Sequence, residues 1–507
     1  MKFYITTIIA VLQYGFCFAQ TNFDKKWISG GAYNFITEFN GTQTTNSFVN
    51  ASPYKYFIDG HSNICDSGGN VILCSDGYNI YDSTLNFIEN GDTLVPLLEY
   101  INYFGFSPFS QNSIFLPFDS SIYYLVTPAM TDSHYQIYVQ SSDPNLQSQA
   151  CYDLLLYHKI DMKANGGAGK VVEKAVQLLS NVRTDRVRMM ACKHANGKDW
   201  WLLKQATDTN MIYKFLFKQD TIEGPFIQAF SEPHFGLQHL WANNQGQSVF
   251  TRDGTKYATC AANVRQVFLS DFDRCTGILS NPIVLNVPID SIGTNYEDKL
   301  NLGLAFSANG SFLYVIKGSN IWQYELGQPD SALAWYRVAN GMTALPNFQL
   351  NSASYIGPNG KIYIGNWNGL GDNMSVIDNP DIKGAGCNFC AQCLVFPHAG
   401  ASSPPCMPNY DLGALNPCWP LDVNKSEKEG ELLTIYPNPT GIGVFNVEFL
   451  VLSQRDVELE LYTLMGQKVL SQQVKRGTLR AEVDVRGLAD GVYFLRVDNY
   501  VRKVVVE

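Results

Sequence analysis

The chain has 507 residues, of which 46% are hydrophobic, 13% aromatic and 16% charged, enough apolar material for two or three domains. The aromatic content and the 41 glycines indicate a β-rich fold, because strands favour aromatic side chains and turns need glycine. The net charge of −10 repels phosphate backbones, so we expect no nucleic-acid partner.

The N-terminus is typical of an exported protein. Lys2 precedes a mostly apolar stretch at residues 3–18, and Ala19 has the small side chain that a signal peptidase needs at its cleavage site. We predict a signal peptide over residues 1–19 rather than a membrane anchor, because the apolar stretch is short and Gln13 interrupts it. No later apolar run reaches the roughly 18 residues that a membrane-spanning helix needs.

A turn signal recurs along residues 20–423, the expected passenger domain. An Asn-Gly or Asp-Gly pair precedes an apolar strand at Asn196, Asp253, Asn309 and Asn359, with weaker copies at Ser67 and Asp119. The four strong copies are separated by 57, 56 and 50 residues. Asn, Asp and Gly tolerate the positive φ of a two-residue hairpin turn. Several short strands per repeat at this period are typical of a β-propeller.

These patterns predict an all-β protein, a β-propeller followed by a small C-terminal β-sandwich. Seven blades is the expected number, and six or eight are the alternatives. Unrelated hairpins in a larger β-sandwich would be the alternative to a propeller. The longer interval between Asp119 and Asn196 predicts an insertion, which we place at residues 141–152 because this stretch is polar and turn-rich.

Several stretches also resemble the WD40-like propeller passengers of surface proteins from gliding and related Bacteroidetes-type bacteria. The stretches are residues 66–73, 193–201, 271–277 and 357–364. The resemblance spans most of residues 24–420. It implies a propeller fold and no established activity.

Of the 12 cysteines, five lie near the end of the passenger: Cys387, Cys390, Cys393, Cys406 and Cys418. Closely spaced cysteines in an exported protein are expected to form disulfide bonds. A zinc site formed by Cys387, Cys390, Cys393 and His398 is the alternative, because three thiolates and an imidazole are a zinc ligand set. Two further candidate disulfides, at predicted hairpins, are Cys65 with Cys74 and Cys260 with Cys275.

The composition changes at residues 424–431, which are charged and polar and predict a linker. Residues 432–507 then alternate between apolar and polar side chains, for example at 457–462, as the strands of a small sandwich do. We therefore predict a separate β-sandwich domain over residues 432–507.

This last domain closely resembles the type A sorting domain of the type IX secretion system. The residues that carry the resemblance are Tyr436, Pro437, Asn438, Pro439, Gly466, Gly491 and Lys503. It implies Sec export to the periplasm and then translocation across the cell outer membrane by the type IX machinery. The expected location is therefore the cell surface or the medium.

No catalytic motif, resident metal or cofactor is predicted. The passenger is expected to be a binding or scaffold module that presents its loops and centre to an unknown protein or glycan. An extracellular glycan hydrolase or lyase is the alternative, because acids from distant repeats can meet at the central channel of a propeller.

Overall fold

The structure is a computed structural model. It describes residues 22–31, 33–49, 55–207, 209–230, 246–261, 266–288, 303–318, 320–339, 351–366, 371–400, 403–415, 433–441, 443–449, 456–463, 467–497 and 500–506. The predicted signal peptide and linker lie outside these ranges, as do Cys418 and Gly466. Within the described residues, no helix combines the length and the apolar character that crossing a membrane requires.

The chain divides into two compact units, residues 1–418 and 419–507. The described residues form eight β-sheets, six in the first unit and two in the second, with a few short helices, so the predicted all-β class is confirmed.

Two three-stranded sheets open the first unit. The first contains β1 (Lys26–Gly30), β2 (Asn34–Asn40) and β3 (Gln43–Val49); the second contains β4 (Ser62–Cys65), β5 (Val71–Ser75) and β6 (Ile80–Asp82). Strand β1 contacts β4, so these sheets lie side by side. A short helix, α1 (Leu97–Asn102), follows β6.

A seven-stranded sheet follows. Its strands are β7 (Ile114–Pro117), β8 (Ile122–Ala129), β9 (Tyr152–Asp161), β10 (Lys170–Lys193), β11 (Trp200–Ala206), β12 (Met211–Phe217) and β13 (Ile222–Ala229). Strand β10 belongs to both halves of this sheet: residues 170–184 pair with β9, and residues 184–193 pair with β11. The sheet thus corresponds to two four-stranded sheets that share one long strand.

The predicted insertion overlaps a helical segment between β8 and β9. This segment contains α2 (Asp132–His134), a π-helix (Tyr135–Val139) and α3 (Pro144–Gln147). The insertion therefore begins earlier than the predicted residue 141, because the turn after β8 already starts a helix at Thr131, whose side chain accepts a hydrogen bond from the N–H of His134.

Three four-stranded sheets complete the first unit. Their strands are β14 (Gly246–Phe250), β15 (Lys256–Ala261), β16 (Gln266–Phe272), β17 (Leu279–Asn286), then β18 (Gly303–Phe306), β19 (Phe312–Lys317), β20 (Asn320–Glu325), β21 (Trp335–Ala339), then β22 (Asn351–Ile356), β23 (Ile362–Asn366), β24 (Asn373–Ile377) and β25 (Phe389–Val395). A 3₁₀ turn, Gly384–Cys387, precedes β25.

The recurring Asx-Gly pairs do form turns between antiparallel strands, as predicted, but not two-residue turns. Only the glycine has a positive φ, for example +72° at both Gly254 and Gly310. The side chain of Asn309 accepts a hydrogen bond from the N–H of Ser311, and Asp253 does the same for Thr255. The prediction missed this because an Asx side chain can stabilise a longer turn by bonding to the backbone two residues ahead.

Side-chain amides tie the first strands of separate sheets together. Gln247 on β14 accepts hydrogen bonds from the N–H groups of Leu304 on β18 (2.9 Å) and Ser354 on β22 (3.0 Å). Gln111, ahead of β7, exchanges two hydrogen bonds of 2.8 Å with the backbone of Ser248 on β14. The first strands therefore converge on a common polar centre, which gives the unit a propeller-like arrangement.

The second unit consists of two sheets around one core. One contains β26 (Leu433–Tyr436), β27 (Val444–Phe449) and β30 (Arg480–Asp484); the other contains β28 (Val457–Thr463), β29 (Lys468–Val474), β31 (Gly491–Val497) and β32 (Tyr500–Val506). Phe445 and Val483 from the first sheet and Leu459 and Val504 from the second are all fully buried in the shared core. The alternating pattern of the sequence places these side chains on the inner face of each strand.

Candidate functional site

The centre of the first unit is filled by its own last segment, residues 403–415, which we call the plug segment. It is held from several sheets at once. The N–H of Cys406 donates to the carbonyl of His61 (2.9 Å), and the hydroxyl of Tyr410 donates to the carbonyl of Phe115 at β7 (3.1 Å). Lys193 at the end of β10 donates to the carbonyl of Tyr410 (2.8 Å). The first strands of the sheets therefore surround the plug segment rather than an open channel.

The far end of the plug segment is fixed in the same way. A side-chain N–H of Arg274 donates to the carbonyl of Gly413 (2.7 Å), and the amide of Asn409 donates to the carbonyl of Arg252 (2.6 Å). Burying the ring of Tyr410 between Trp200 and Phe23, each 5.9 Å away between ring centroids, adds apolar contact to these bonds.

A central cavity of about 80 Å³ remains beside the plug segment. The last residues of β10, β14, β18 and β22 line it, together with Asp24, Arg252 and plug residues 407–409 and 412. At roughly 30 Å³ of liquid volume per molecule, this space suits a few waters and is well below the roughly 300 Å³ or more of typical ligand pockets.

One carboxylate and one guanidinium, those of Asp24 and Arg252, line this cavity, and a second carboxylate, that of Asp411, lies beside Arg252. Arg252 lies 3.9 Å from a carboxylate oxygen of Asp411, and one oxygen of Asp24 is buried without a hydrogen-bond partner among the described residues. Burial, and then repulsion by Asp411, raise the pKa of Asp24 to about 7, although backbone hydrogen bonding and Arg252 act in the opposite direction. Asp24 and Asp411 come from opposite ends of the unit's sequence, so no local spacing could have indicated their meeting.

The raised pKa of Asp24 predicts a pH-dependent stability. At Asp24 the folded protein binds up to one more proton than the unfolded chain between the usual value of 3.8 and about pH 7, so the contribution of this group to the free energy of unfolding falls as the pH rises through this window. In Asp24→Asn this fall should be smaller, by on the order of 2–4 kcal/mol between pH 4 and pH 8. Chemical denaturation at several pH values measures it. The surface substitution Asp220→Asn should leave the pH profile unchanged, and a profile of Asp24→Asn parallel to the natural protein would contradict the prediction.

A polar groove of about 480 Å³ adjoins the cavity and shares Arg252 with it. We call it the mouth groove; its lining residues are Asn22, Lys25, Phe39, Asn40, Gly41, Thr42, Arg252, Pro358, Asn359 and Gly360. The lining includes two cations, three carboxamides and a hydroxyl, and none of these residues is acidic. In a protein with a net charge of −10, the groove is therefore lined by positive charge and hydrogen-bond donors, and Arg252 faces Asp411 at its edge.

The turns that form the mouth groove are fixed by local hydrogen bonds. The amide of Asn22 donates to the carbonyl of Ser67 (2.9 Å), and the amide of Asn359 donates to the hydroxyl of Tyr363 (2.9 Å). The stem of Lys25 lies against Gly69, where a Cβ atom would come within 2.5 Å of the lysine Cδ. The groove is thus formed before any ligand arrives.

The predicted cysteine cluster is only partly brought together. A disulfide bond joins Cys390 and Cys393, whereas Cys387 and Cys406 are buried thiols. Cys387 lies in the core formed by β19, β20 and β23, and Cys406 lies on the plug segment. The sequence places them close together, but in the structure Cys387 packs into a core between strands and Cys406 lies on the plug segment at the centre.

The alternative zinc site does not form among the described residues. Cys390 and Cys393 bond to each other, and the ring of His398 stacks on Tyr33 with 4.0 Å between centroids. No group of three or more metal-binding side chains occurs in the described part of the chain.

The two hairpin disulfides are also wrong. Cys74 lies opposite Asn63 rather than Cys65, and both cysteines keep buried thiols. Cys260 on β15 lies opposite Val267 on β16 and keeps its thiol. Cys275 follows the end of β16 and is disulfide-bonded to another cysteine. A hairpin brings two cysteines within bonding distance only when the register sets them opposite each other.

The sorting motif lies along the last strand of the second unit. The side chain of Asn438 donates to the carbonyl of Lys503 and accepts from the N–H of Val505, both at 2.8 Å. Gly491 begins β31 and pairs with Val506. The side chain of Arg480 lies 5.4 Å from the ring centre of Tyr436. The structure therefore brings the start and the end of the predicted motif together through Asn438.

Comparison with known families identifies this second unit. Residues 434–507 match the family model described as the secretion system C-terminal sorting domain. The predicted sorting tail is thereby confirmed: the chain is a type IX secretion sorting-domain protein, exported to the cell surface or released. The machinery of that system is accordingly a partner of the tail. No curated protein matches the chain.

Solved structures similar to the chain include a periplasmic gluconolactonase from Pseudomonas aeruginosa, 11% identical, covering 75% of this chain and 98% of its own, with a TM-score of 0.42. A putative 6-phosphogluconolactonase from Bacteroides uniformis is 10% identical, covering 76% and 98%, with a TM-score of 0.35. An auxiliary nutrient binding protein from Bacteroides thetaiotaomicron is 10% identical, covering 67% and 81%, with a TM-score of 0.30. Similarities this low carry no argument about activity or ligand.

Proposed function

We propose that the protein is an exported seven-bladed β-propeller that binds acidic glycans at its mouth groove. The described sheets support this blade count when the seven-stranded sheet is taken as two blades that share β10. Contacts of β1 with β4, β4 with β7, β10 with β14, β14 with β18, and β18 with β22 support the radial order. A cleaved signal peptide at residues 1–19 and a tail over residues 432–507 complete the proposed organisation.

The mouth groove carries the binding proposal because of its size and its lining. Its volume of about 480 Å³ lies within the roughly 300–1,000 Å³ of ligand pockets. Lys25 and Arg252 supply positive charge, and carboxamides supply directional hydrogen bonds. Phe39, the one aromatic residue in the lining, is 4% exposed, so the groove lacks the apolar core of a protein–protein interface. A glycan with carboxylate or sulfate groups suits this lining better than a protein.

The enzymatic alternative has less geometric support. A glycan hydrolase would need acids at the centre, where Asp24 with its raised pKa lines the cavity and Asp411 is close enough to repel its charge. The plug segment leaves only about 80 Å³ at Asp24, which is too small for a sugar ring in its transition state. Binding at the more open groove is therefore the function that the geometry supports best.

Charge reversal in the groove tests this proposal. The full chain without its signal peptide should bind oligogalacturonate, with affinity falling as salt increases, and should not bind neutral dextran. Lys25→Glu should weaken binding at least tenfold, because losing one charged hydrogen bond costs about 1.5–3 kcal/mol. Calorimetric titration or a glycan array measures both effects.

The matched control is Lys163→Glu, which makes the same charge change in an exposed turn outside the groove. It should retain the affinity of the natural protein. Equal losses in both variants would show that only net charge matters. No binding of acidic glycans by the natural protein would overturn the proposal.

A further inference from the structure

A thiol, an imidazole and a carboxylate form a chain beneath the helical insertion. The sulfur of Cys151 lies 3.6 Å from Nε2 of His134, a normal distance for a hydrogen bond to sulfur. Nδ1 of the same ring lies 3.9 Å from a carboxylate oxygen of Asp153. A nucleophile beside a base, with the base facing an acid, is the arrangement of an activated thiol.

The insertion fixes this arrangement through Thr131. Its N–H and its hydroxyl donate to the two oxygens of Asp153, at 2.7 and 2.6 Å. The same hydroxyl accepts from the N–H of His134 (3.1 Å), so one residue positions both the acid and the base. The π-helix that begins directly after His134 is a rare element that occurs often at functional sites.

The imidazole is suited to accept a proton. Burial lowers the pKa of His134, as do Arg183 and Arg186, while Asp153 raises it, and the net direction is downward. The lowered pKa favours the neutral ring, which is the form that can accept a proton from the thiol. About a tenth of the His134 side chain is exposed to solvent, so this group of side chains lies just beneath the surface.

Other buried thiols of the protein have different partners. Cys65 and Cys192 donate to the backbone carbonyls of Lys26 and Lys193, at 3.6 and 3.8 Å. A carbonyl oxygen cannot take a thiol proton at neutral pH, and burial raises the pKa of each of these thiols to about 12. Their hydrogen-bond partners thus provide no base that could take the thiol proton.

We propose that Cys151 is a base-activated thiol that exchanges with small, uncharged disulfides. His134 accepts the thiol proton, and the sulfur attacks one sulfur of the disulfide. The S–S bond of the reagent breaks, its second sulfur leaves and takes the proton from His134 as a free thiol, and Cys151 is left in a mixed disulfide. One disulfide is consumed and one is formed, so no other oxidant is needed. Asp153 acts as a positioning residue.

The test is site-resolved labelling of the folded full-length chain with bis(2-hydroxyethyl) disulfide, read by mass spectrometry of its peptides. Cys151 and Cys192 are 0% and 1% exposed, so Cys192 is a matched control for burial. Cys151 should form the mixed disulfide at least tenfold faster, since a positioned base contributes about 10²–10⁴-fold in proton transfer. Equal rates in the natural protein would overturn the proposal without any variant.

Substitutions then assign the roles. His134→Gln should reduce labelling of Cys151 to the rate of Cys192, and Asp153→Asn should reduce it less. His194→Gln, at a histidine of a surface hairpin whose ring lies 3.1 Å from the carbonyl of Cys275, should change nothing. Circular dichroism identifies variants that unfold. If a variant unfolds, the comparison of Cys151 with Cys192 in the natural protein still tests the proposal. Unchanged labelling in a folded His134→Gln variant would also refute the proposal.

Discussion

Removal of residues 434–507 is expected to abolish delivery of the passenger to the cell surface, with the protein retained in the periplasm. The deleted residues are the matched sorting domain. The first unit has its own cores, so it should still fold. Protease accessibility on intact cells, with fractionation of periplasm and membranes, measures the outcome. Surface levels equal to those of the full chain would contradict the assignment of the tail.

A point variant separates the sorting signal from the mere presence of a tail. Asn438→Ala removes both hydrogen bonds to β32 and should reduce surface display severalfold. Losing each of these two hydrogen bonds costs about 0.5–1.5 kcal/mol, which loosens the final strand. Gln473→Ala, on an exposed position of β29, is the matched control and should be displayed normally. Equal display of both variants would show that the Asn438 bridge is not needed.

Tyr410→Ala is expected to destabilise the first unit by about 3–5 kcal/mol, the usual cost of truncating a fully buried aromatic side chain. The substitution removes the hydroxyl bond to Phe115 and the ring contacts with Trp200 and Phe23. Tyr410→Phe should cost about 1 kcal/mol, because only the hydrogen bond is lost. Guanidinium unfolding followed by tryptophan fluorescence measures both.

The control for this prediction lies on the same segment. Leu415 is 46% exposed, so Leu415→Ala should change the unfolding free energy by less than about 0.5 kcal/mol. A loss below about 1 kcal/mol in Tyr410→Ala would mean that the plug segment contributes little to the first unit. In that case the hydrogen bonds that Gln111 and Gln247 make between the first strands would hold the centre together.

Local patterns of the sequence predicted local structure well. The all-β class and the turns at the Asx-Gly pairs followed from backbone preferences that act within a few residues. The tail was recognisable because its motif is continuous in sequence at Tyr436–Pro439. The predicted length of the turns is wrong, because the side chain of Asn309 accepts the hydrogen bond of a backbone N–H in the turn. This bond depends on the rotamer of the side chain, which the residue type does not specify.

The candidate sites depend on contacts that no local pattern reports. Asp24 and Asp411 meet only because the plug segment returns to the first strand, and Cys151 meets His134 only because the insertion folds back onto β9. The disulfide predicted between Cys65 and Cys74 from their spacing is wrong for the same reason, since the register of β4 with β5 sets Cys74 opposite Asn63. Long-range geometry decides these pairs, and spacing along the chain does not constrain it.

The long strand β10 has a consequence for how the protein resists local opening. Because Thr184 pairs with both Tyr152 and Ala206, the strand joins two neighbouring sheets through continuous backbone rather than through packing alone. Fraying of one sheet therefore strains the other, and the region from β7 to β13 should open as one cooperative unit. A nick near the middle of β10 would divide this block in two, whereas a nick in any loop between other sheets would not.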